Sequence, residues 1–241
     1  MCRKTIITMM LVALFLVLSS RGTRAQSDES KFEVNGHFSA LHTSETGAII
    51  IPIECIQAPC FPITTLSSSS RTEPGFGGTI GYNFTRNITA EAEINFFPRN
   101  NVESGRMTEG LFGVKAGKRF RKVGVFGKAR PGFLYATRGD LRPRPDIACV
   151  AIFPPPVGCF ETASKTSFAF DLGGVVELYP TRRTIIRFDA GDTIIRFGER
   201  NVVAIVSPPP GIFVPARIGV FPAASHTTHN FQFNAGVGFR F

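Results

Sequence analysis

From His229 to Phe241 the chain reads H-N-F-Q-F-N-A-G-V-G-F-R-F, with an apolar residue at every second place. Phe231, Phe233, Ala235, Val237, Phe239 and Phe241 form one set, and Asn230, Gln232, Asn234, Gly236, Gly238 and Arg240 fill the places between. A period of two marks a β-strand whose faces lie in different media. A soluble sheet also alternates, but it rarely loads one face with so many large aromatic rings. In a membrane barrel the outward side chains meet lipid and the inward ones a polar lumen, so the alternation is imposed on every strand.

The chain opens on a different pattern. Arg3 and Lys4 precede an uncharged, mostly apolar run from Thr5 to Leu18, and Thr23 and Ala25 are small enough for the minus-three and minus-one positions of a cleavage site. Residues 1–25 therefore read as a secretory signal, with Gln26 as the first mature residue. The run falls short of the roughly 20 apolar residues of a spanning helix, and no later segment is long and apolar enough for one. Cys2 precedes the apolar run and leaves with it. Four of the 27 basic residues leave too, so 23 face 18 acidic ones and the net charge falls from +9 to about +5. Without a basic stripe interleaved with aromatics, that excess gives no reason to expect a nucleic-acid partner. Residues 26–241 are expected to form one domain, monomeric and without cofactor or metal.

Four cysteines remain, Cys55 and Cys60 in one expected loop and Cys149 and Cys159 in another. Close pairs in a secreted chain read as two short disulfide-closed loops. Neither C-x4-C nor C-x9-C matches the tighter ligand spacing of a zinc site.

Alternation recurs along the mature chain. It predicts strands over Lys31–Leu41, Gly75–Thr85, Ile88–Phe97, Glu109–Phe120, Val123–Tyr135, Thr166–Tyr179, from Thr184, and over the final stretch, eight in all. Pro131, lacking a donor, is expected to bulge or break the fifth. Between the strands lie irregular stretches at 42–74, 98–108, 136–165 and 197–228. The short connections Arg86–Asn87, Arg121–Lys122 and Pro180–Arg183 fall on the side of both termini, with the long ones opposite. Short periplasmic turns and long external loops are the arrangement of an outer-membrane barrel.

Over residues 31–241 the chain resembles the OmpA- and OmpX-type eight-stranded barrels of bacteria, and Phe233, Val237, Phe239 and Phe241 resemble the C-terminal assembly signal of such proteins. The resemblance implies an all-β, eight-stranded antiparallel up-and-down transmembrane β-barrel with long external loops, reached through the periplasm and lodged in the outer membrane. It further implies outer-membrane lipid and the barrel-assembly machinery as partners. A soluble lipocalin-like barrel, with its apolar set inward, is the alternative. Charges of both signs in mid-strand and the aromatic C-terminus favour the membrane.

With the apolar set outward, Glu33, Glu91, Glu93, Lys115, Lys128, Arg130, Asp171, Glu177, Arg187 and Asp189 point into the lumen. Eight strands leave an interior just wide enough for side chains to fill. A near-balance of charge there suggests a closed salt-bridge network, with a narrow passive pore gated by those pairs as the alternative. Ser225, His226 and His229 offer a faint second alternative, a lipid-modifying enzyme, but sequence proximity does not make a nucleophile and its base; no catalytic residue is assigned. The loops carry more. Val150–Gly158 reads V-A-I-F-P-P-P-V-G and Val203–Gly211 reads V-A-I-V-S-P-P-P-G, two stiff apolar segments outside the membrane. They suggest a structural or surface-interaction role, with an external protein or host ligand at the loops.

Overall fold

The computed structural model describes residues 30–51, 63–101, 104–146, 157–206 and 217–241. The described strands are β1 (Phe32–Ile51), β2 (Ile63–Asn83), β3 (Ile88–Asn101), β4 (Gly105–Arg119), β5 (Val123–Pro143), β6 (Phe160–Leu178), β7 (Thr184–Phe197), β8 (Arg200–Val206), β9 (Arg217–Ala223) and β10 (His226–Arg240). Each of β1 to β7 pairs antiparallel with its neighbour, and β10 pairs with both β7 and β1. The eight strands β1–β7 and β10 thus close on themselves. Closure satisfies every ladder and leaves no strand edge in lipid.

The sign of the alternation is that of a membrane barrel. Phe38, Phe76, Ile94, Phe112, Phe168 and Val237 are exposed on the outer wall, each more than half so, while the polar alternates are buried inside. Three short connections, at 84–87, 120–122 and 179–183, lie at one end with both ends of the barrel chain. There the Phe241 N–H donates to the Phe32 carbonyl at 2.9 Å, and the Phe32 N–H to the Phe241 carbonyl at 3.3 Å. Two of these turns share a device: the Thr85 hydroxyl accepts from the N–H groups of Asn87 and Ile88, and the Thr181 hydroxyl from those of Arg183 and Thr184. A threonine oxygen standing in for a ladder partner is what lets the chain reverse so tightly.

The irregular external stretches are largely strand instead. β1 has 20 residues and β2 and β5 have 21 each, about twice the roughly 9–11 that cross a membrane. β1 and β2 stay in register from Phe32–Tyr82 to Ile51–Ile63. Periodicity does not find the outer half because the run of Ser and Thr along 64–72 carries no apolar alternation. Pro98–Thr108 likewise divides between β3 and β4, where Gly105, at φ 65°, starts β4. A Cβ at Gly105 would meet the Thr137 hydroxyl at 2.2 Å. Pro131 breaks a ladder without bulging it: β4–β5 pairing skips from Leu111–Gly132 to Val114–Ala129 in unchanged register.

The stretch 197–228 supplies the β8–β9 hairpin, which spans the external mouth. On one side Ala223 of β9 pairs with Ile49 of β1. On the other, the Asn201 N–H donates to the Asp140 carboxylate at 3.0 Å and the Asn201 amide to the Leu141 carbonyl at 2.9 Å, both on β5. Val220 and Phe221 of β9 are buried.

Candidate functional site

The interior is layered from the short-turn end outward. In the first layer Lys115 bonds Glu33 at 3.2 Å, Glu91 at 3.1 Å and Glu177. Arg119 reaches Glu33 at 2.7 Å and donates to the Tyr179 hydroxyl at 3.0 Å. Arg187 grips Glu91 with both nitrogens, at 2.5 and 2.9 Å, a planar fork on a carboxylate. Phe126 lies 4.8 Å below the Lys115 ammonium, and Tyr179 stacks 4.0 Å from the Arg240 guanidinium, closing this end with rings.

The second layer centres on Arg130. Its guanidinium reaches Glu93 at 2.5 Å, Asp171 at 2.6 Å and Asp189 at 3.4 Å. Lys128 bonds Asp171 at 2.8 Å and also Asp189. The ten charged residues of the sequence pattern, Glu33, Glu91, Glu93, Lys115, Lys128, Arg130, Asp171, Glu177, Arg187 and Asp189, are between 0% and 4% exposed and all joined in this lattice.

A third layer, of amides and hydroxyls, was not legible as a site. The Asn95 amide donates to Glu93 and to Glu109, each at 2.8 Å, and accepts from His37 Nε2 at 2.7 Å. Gln232 donates to Glu109 at 2.9 Å and accepts from Thr193 at 2.6 Å. Glu109 is fully buried, has no cation in contact among the described residues, and leaves Oε1 without a partner. Its parity with Lys115 on β4 was the available signal, as it was for Arg119; both sat at the margins of the predicted strand.

Above lies a fourth layer of Leu41, Phe97, Met107, Leu134, Ala169 and Ile195, packed together with Leu111 inside the barrel. Apolar side chains here break the polar-inward rule, and the sequence pattern singles none of them out. The polar network and the apolar layer together draw side chains from all eight strands into the bore.

The imidazole of His226 stacks on Phe197 with centroids 5.2 Å apart, Ser225 is exposed, and among the described residues no hydroxyl bonds His226 or His229. His229 instead bonds the Asp192 carboxylate through Nδ1 at 2.6 Å, on the outer wall beside Phe231. Of the cysteines, Cys159 is buried at the end of a short 3-10 turn, Val157–Cys159, and is disulfide-bonded. Cys55, Cys60 and Cys149 lie outside the described residues, as do the signal segment 1–25 and the prolines of both loop segments. Phe233, Val237, Phe239 and Phe241 line the outer wall of β10 and its end. No helix among the described residues is long and apolar enough to cross a membrane, which says nothing of strands.

The family model for the outer membrane protein beta-barrel domain matches residues 10–241. Among solved structures, Neisserial surface protein A is 11% identical at a TM-score of 0.47, with 87% of this chain and 97% of that one covered. OprG from Pseudomonas aeruginosa is 8% identical at 0.44, covering 88% and 96%. The attachment invasion locus protein Ail of Yersinia pestis is 15% identical at 0.41, covering 88% and 100%. No curated protein sequence matches. Matched over nearly its whole length and folded as a closed eight-stranded barrel with an apolar outer wall, the chain belongs to the outer membrane protein beta-barrel domain family and resides in the bacterial outer membrane.

Proposed function

We infer that this barrel is a closed scaffold whose work is done outside the membrane, in surface interaction at its external loops. The observation that carries the reading is the content of the bore, a buried ion-pair lattice with an apolar layer above it, beneath strands that run far past the apolar belt. A stack of paired charges and packed apolar side chains favours a closed bore over a pore. Strands projecting from a rigid barrel, bridged by the β8–β9 hairpin, hold loops at a fixed height for contact. The partner is a protein or host molecule at the proline-rich segments, the protein acts as a monomer, and Cys149–Cys159 and Cys55–Cys60 close the loops that carry those contacts. Residues 1–25 direct it to the periplasm and the β10 end engages the assembly machinery.

Conductance of refolded residues 26–241 across a planar bilayer tests the closure, with folding verified by the gel-mobility difference between unheated and boiled samples. A silent bilayer is expected, and steady openings would make the barrel a pore. Thiol counting under denaturing, non-reducing conditions should find no free thiol; four would remove the pairing.

A further inference from the structure

We propose that the external mouth is a binding site for a small amphipathic monocarboxylate, one carboxylate on a compact apolar body. The bore ends there in a shallow pocket that opens to solvent, so a ligand seated in it would stand partly proud of the mouth. Its floor is the upper face of the apolar layer, Met107, Leu134, Ala136 and Phe197. Its rim carries Arg71, Arg138, Lys165 and Arg200, from β2, β5, β6 and β8, and among the described residues lining it there is no Asp or Glu.

These cations are not equally engaged. Arg71 is held by Glu73 at 2.7 Å and donates to the Ser104 hydroxyl at 2.9 Å, and Arg200 lies over the Phe197 ring at 5.1 Å. Lys165 donates only to backbone carbonyls, of Gly198 and Glu199. The Arg138 guanidinium makes no ion pair or hydrogen bond among the described residues, while the acid two positions along, Asp140, is taken by the N–H groups of Leu141 and Asn201. Two positive charges on neighbouring strands, β5 and β6, therefore stand unanswered at the rim of a partly enclosed mouth, where low-dielectric walls concentrate their field.

Charge and shape together select the ligand. The arginine fork matches a carboxylate in two parallel hydrogen bonds, and the ammonium adds a point charge beside it. An inorganic anion would answer the charges but leave the apolar floor wet; a neutral apolar compound would cover the floor and leave the charges bare. A compact body with one carboxylate does both. Below Met107 the bore is filled by Leu41, Phe97 and Ile195, each fully buried, so the pocket is blind and holds its ligand without passing it on. The site goes beyond the loop-contact reading and does not depend on it.

Residues 26–241 in lipid nanodiscs, probed with 4-fluorobenzoate by fluorine NMR line broadening against empty nanodiscs, test the assignment. Wild type should broaden the acid and leave 4-fluorobenzyl alcohol sharp, and equimolar sulfate should not displace the acid. Arg138→Gln combined with Lys165→Gln should weaken binding at least fivefold, while Arg138→Lys with Lys165→Arg, which keeps both charges, should hold it within twofold. No broadening, equal broadening of the alcohol, displacement by sulfate, undiminished binding in the neutral variant, or a loss shared by the charge-keeping variant would each overturn it.

Discussion

Arg130 Nη1 lies 2.5 Å from Glu93 Oε2, fully buried at the middle of the barrel, although the two residues stand 37 positions apart in the chain. The pair joins β5 to β3 through the lumen, and the same guanidinium holds Asp171 of β6 and Asp189 of β7. One side chain thus ties four strands of the barrel together.

Arg130→Met should therefore be among the most destabilising single substitutions in the lumen. It leaves several buried carboxylates short of a counter-charge, a loss that typically costs about 3–5 kcal/mol. Urea titration of the barrel in lipid vesicles, followed by gel mobility, measures it. A change below about 1 kcal/mol would mean that lumen water, not Arg130, solvates those acids.

Glu109→Gln should act the other way. Glu109 is buried with no cation in contact among the described residues, and one carboxylate oxygen accepts both of its hydrogen bonds there, from Asn95 and Gln232. The amide oxygen of glutamine can accept the same two bonds while removing a buried charge, so the variant should be at least as stable as wild type. Glu93→Gln, which removes one of the carboxylates that hold Arg130, should lose stability in the same assay.

If the ion-pair lattice and the apolar layer each close the bore, opening it should require two changes. Lys128→Met alone loosens the ion-pair lattice, where Lys128 holds Asp171 at 2.8 Å, but leaves Leu41, Phe97 and Met107 packed above. It should stay silent in a planar bilayer. Combined with Phe97→Ala and Leu41→Ala it should conduct. Conductance from the single substitution would make the charge lattice itself the gate.

Why the sequence revealed some of this and not the rest follows from what each layer has to satisfy. Lipid on one side and ions on the other impose strict alternation from Phe32 to Ala40 and from Phe231 to Phe241, so strand number, parity and the ten lumen charges were legible. At Leu41 the inward face turns apolar, so charge no longer marks it. Period two then carries less contrast, and the sequence reading places the outer parts of β1, β2, β5 and β6 in irregular stretches. Glu109 was hidden for another reason. Its environment is set by Asn95 and Gln232, neutral residues on other strands that no charge pattern singles out.

Gly77 and Gly36 should respond oppositely to alanine. A Cβ at Gly77 would fall 2.1 Å from Asn95 Oδ1 and 2.3 Å from the Ile94 carbonyl oxygen, a backbone atom that cannot step aside. It would also press on the His37–Asn95 hydrogen bond. Gly77→Ala should cost about 1–3 kcal/mol, the range of overpacked sites. At Gly36, on the outer wall, nothing lies within 4 Å of the added carbon, and Gly36→Ala should be neutral within about 0.5 kcal/mol in the same urea titration.

Phe241 separates assembly from stability. Its backbone closes the barrel through two hydrogen bonds with Phe32, which any residue would make, while its ring is 71% exposed. Phe241→Ala should therefore refold from urea into vesicles with stability within about 1 kcal/mol of wild type. If the ring is read by the assembly machinery, the same substitution should sharply reduce the heat-modifiable form recovered from outer membranes of expressing cells. Equal loss in vesicles and in cells would make the ring a packing element; normal yield in cells would remove its role as a signal. The two assays share one protein and one gel readout, so the comparison isolates the step at which the aromatic end acts.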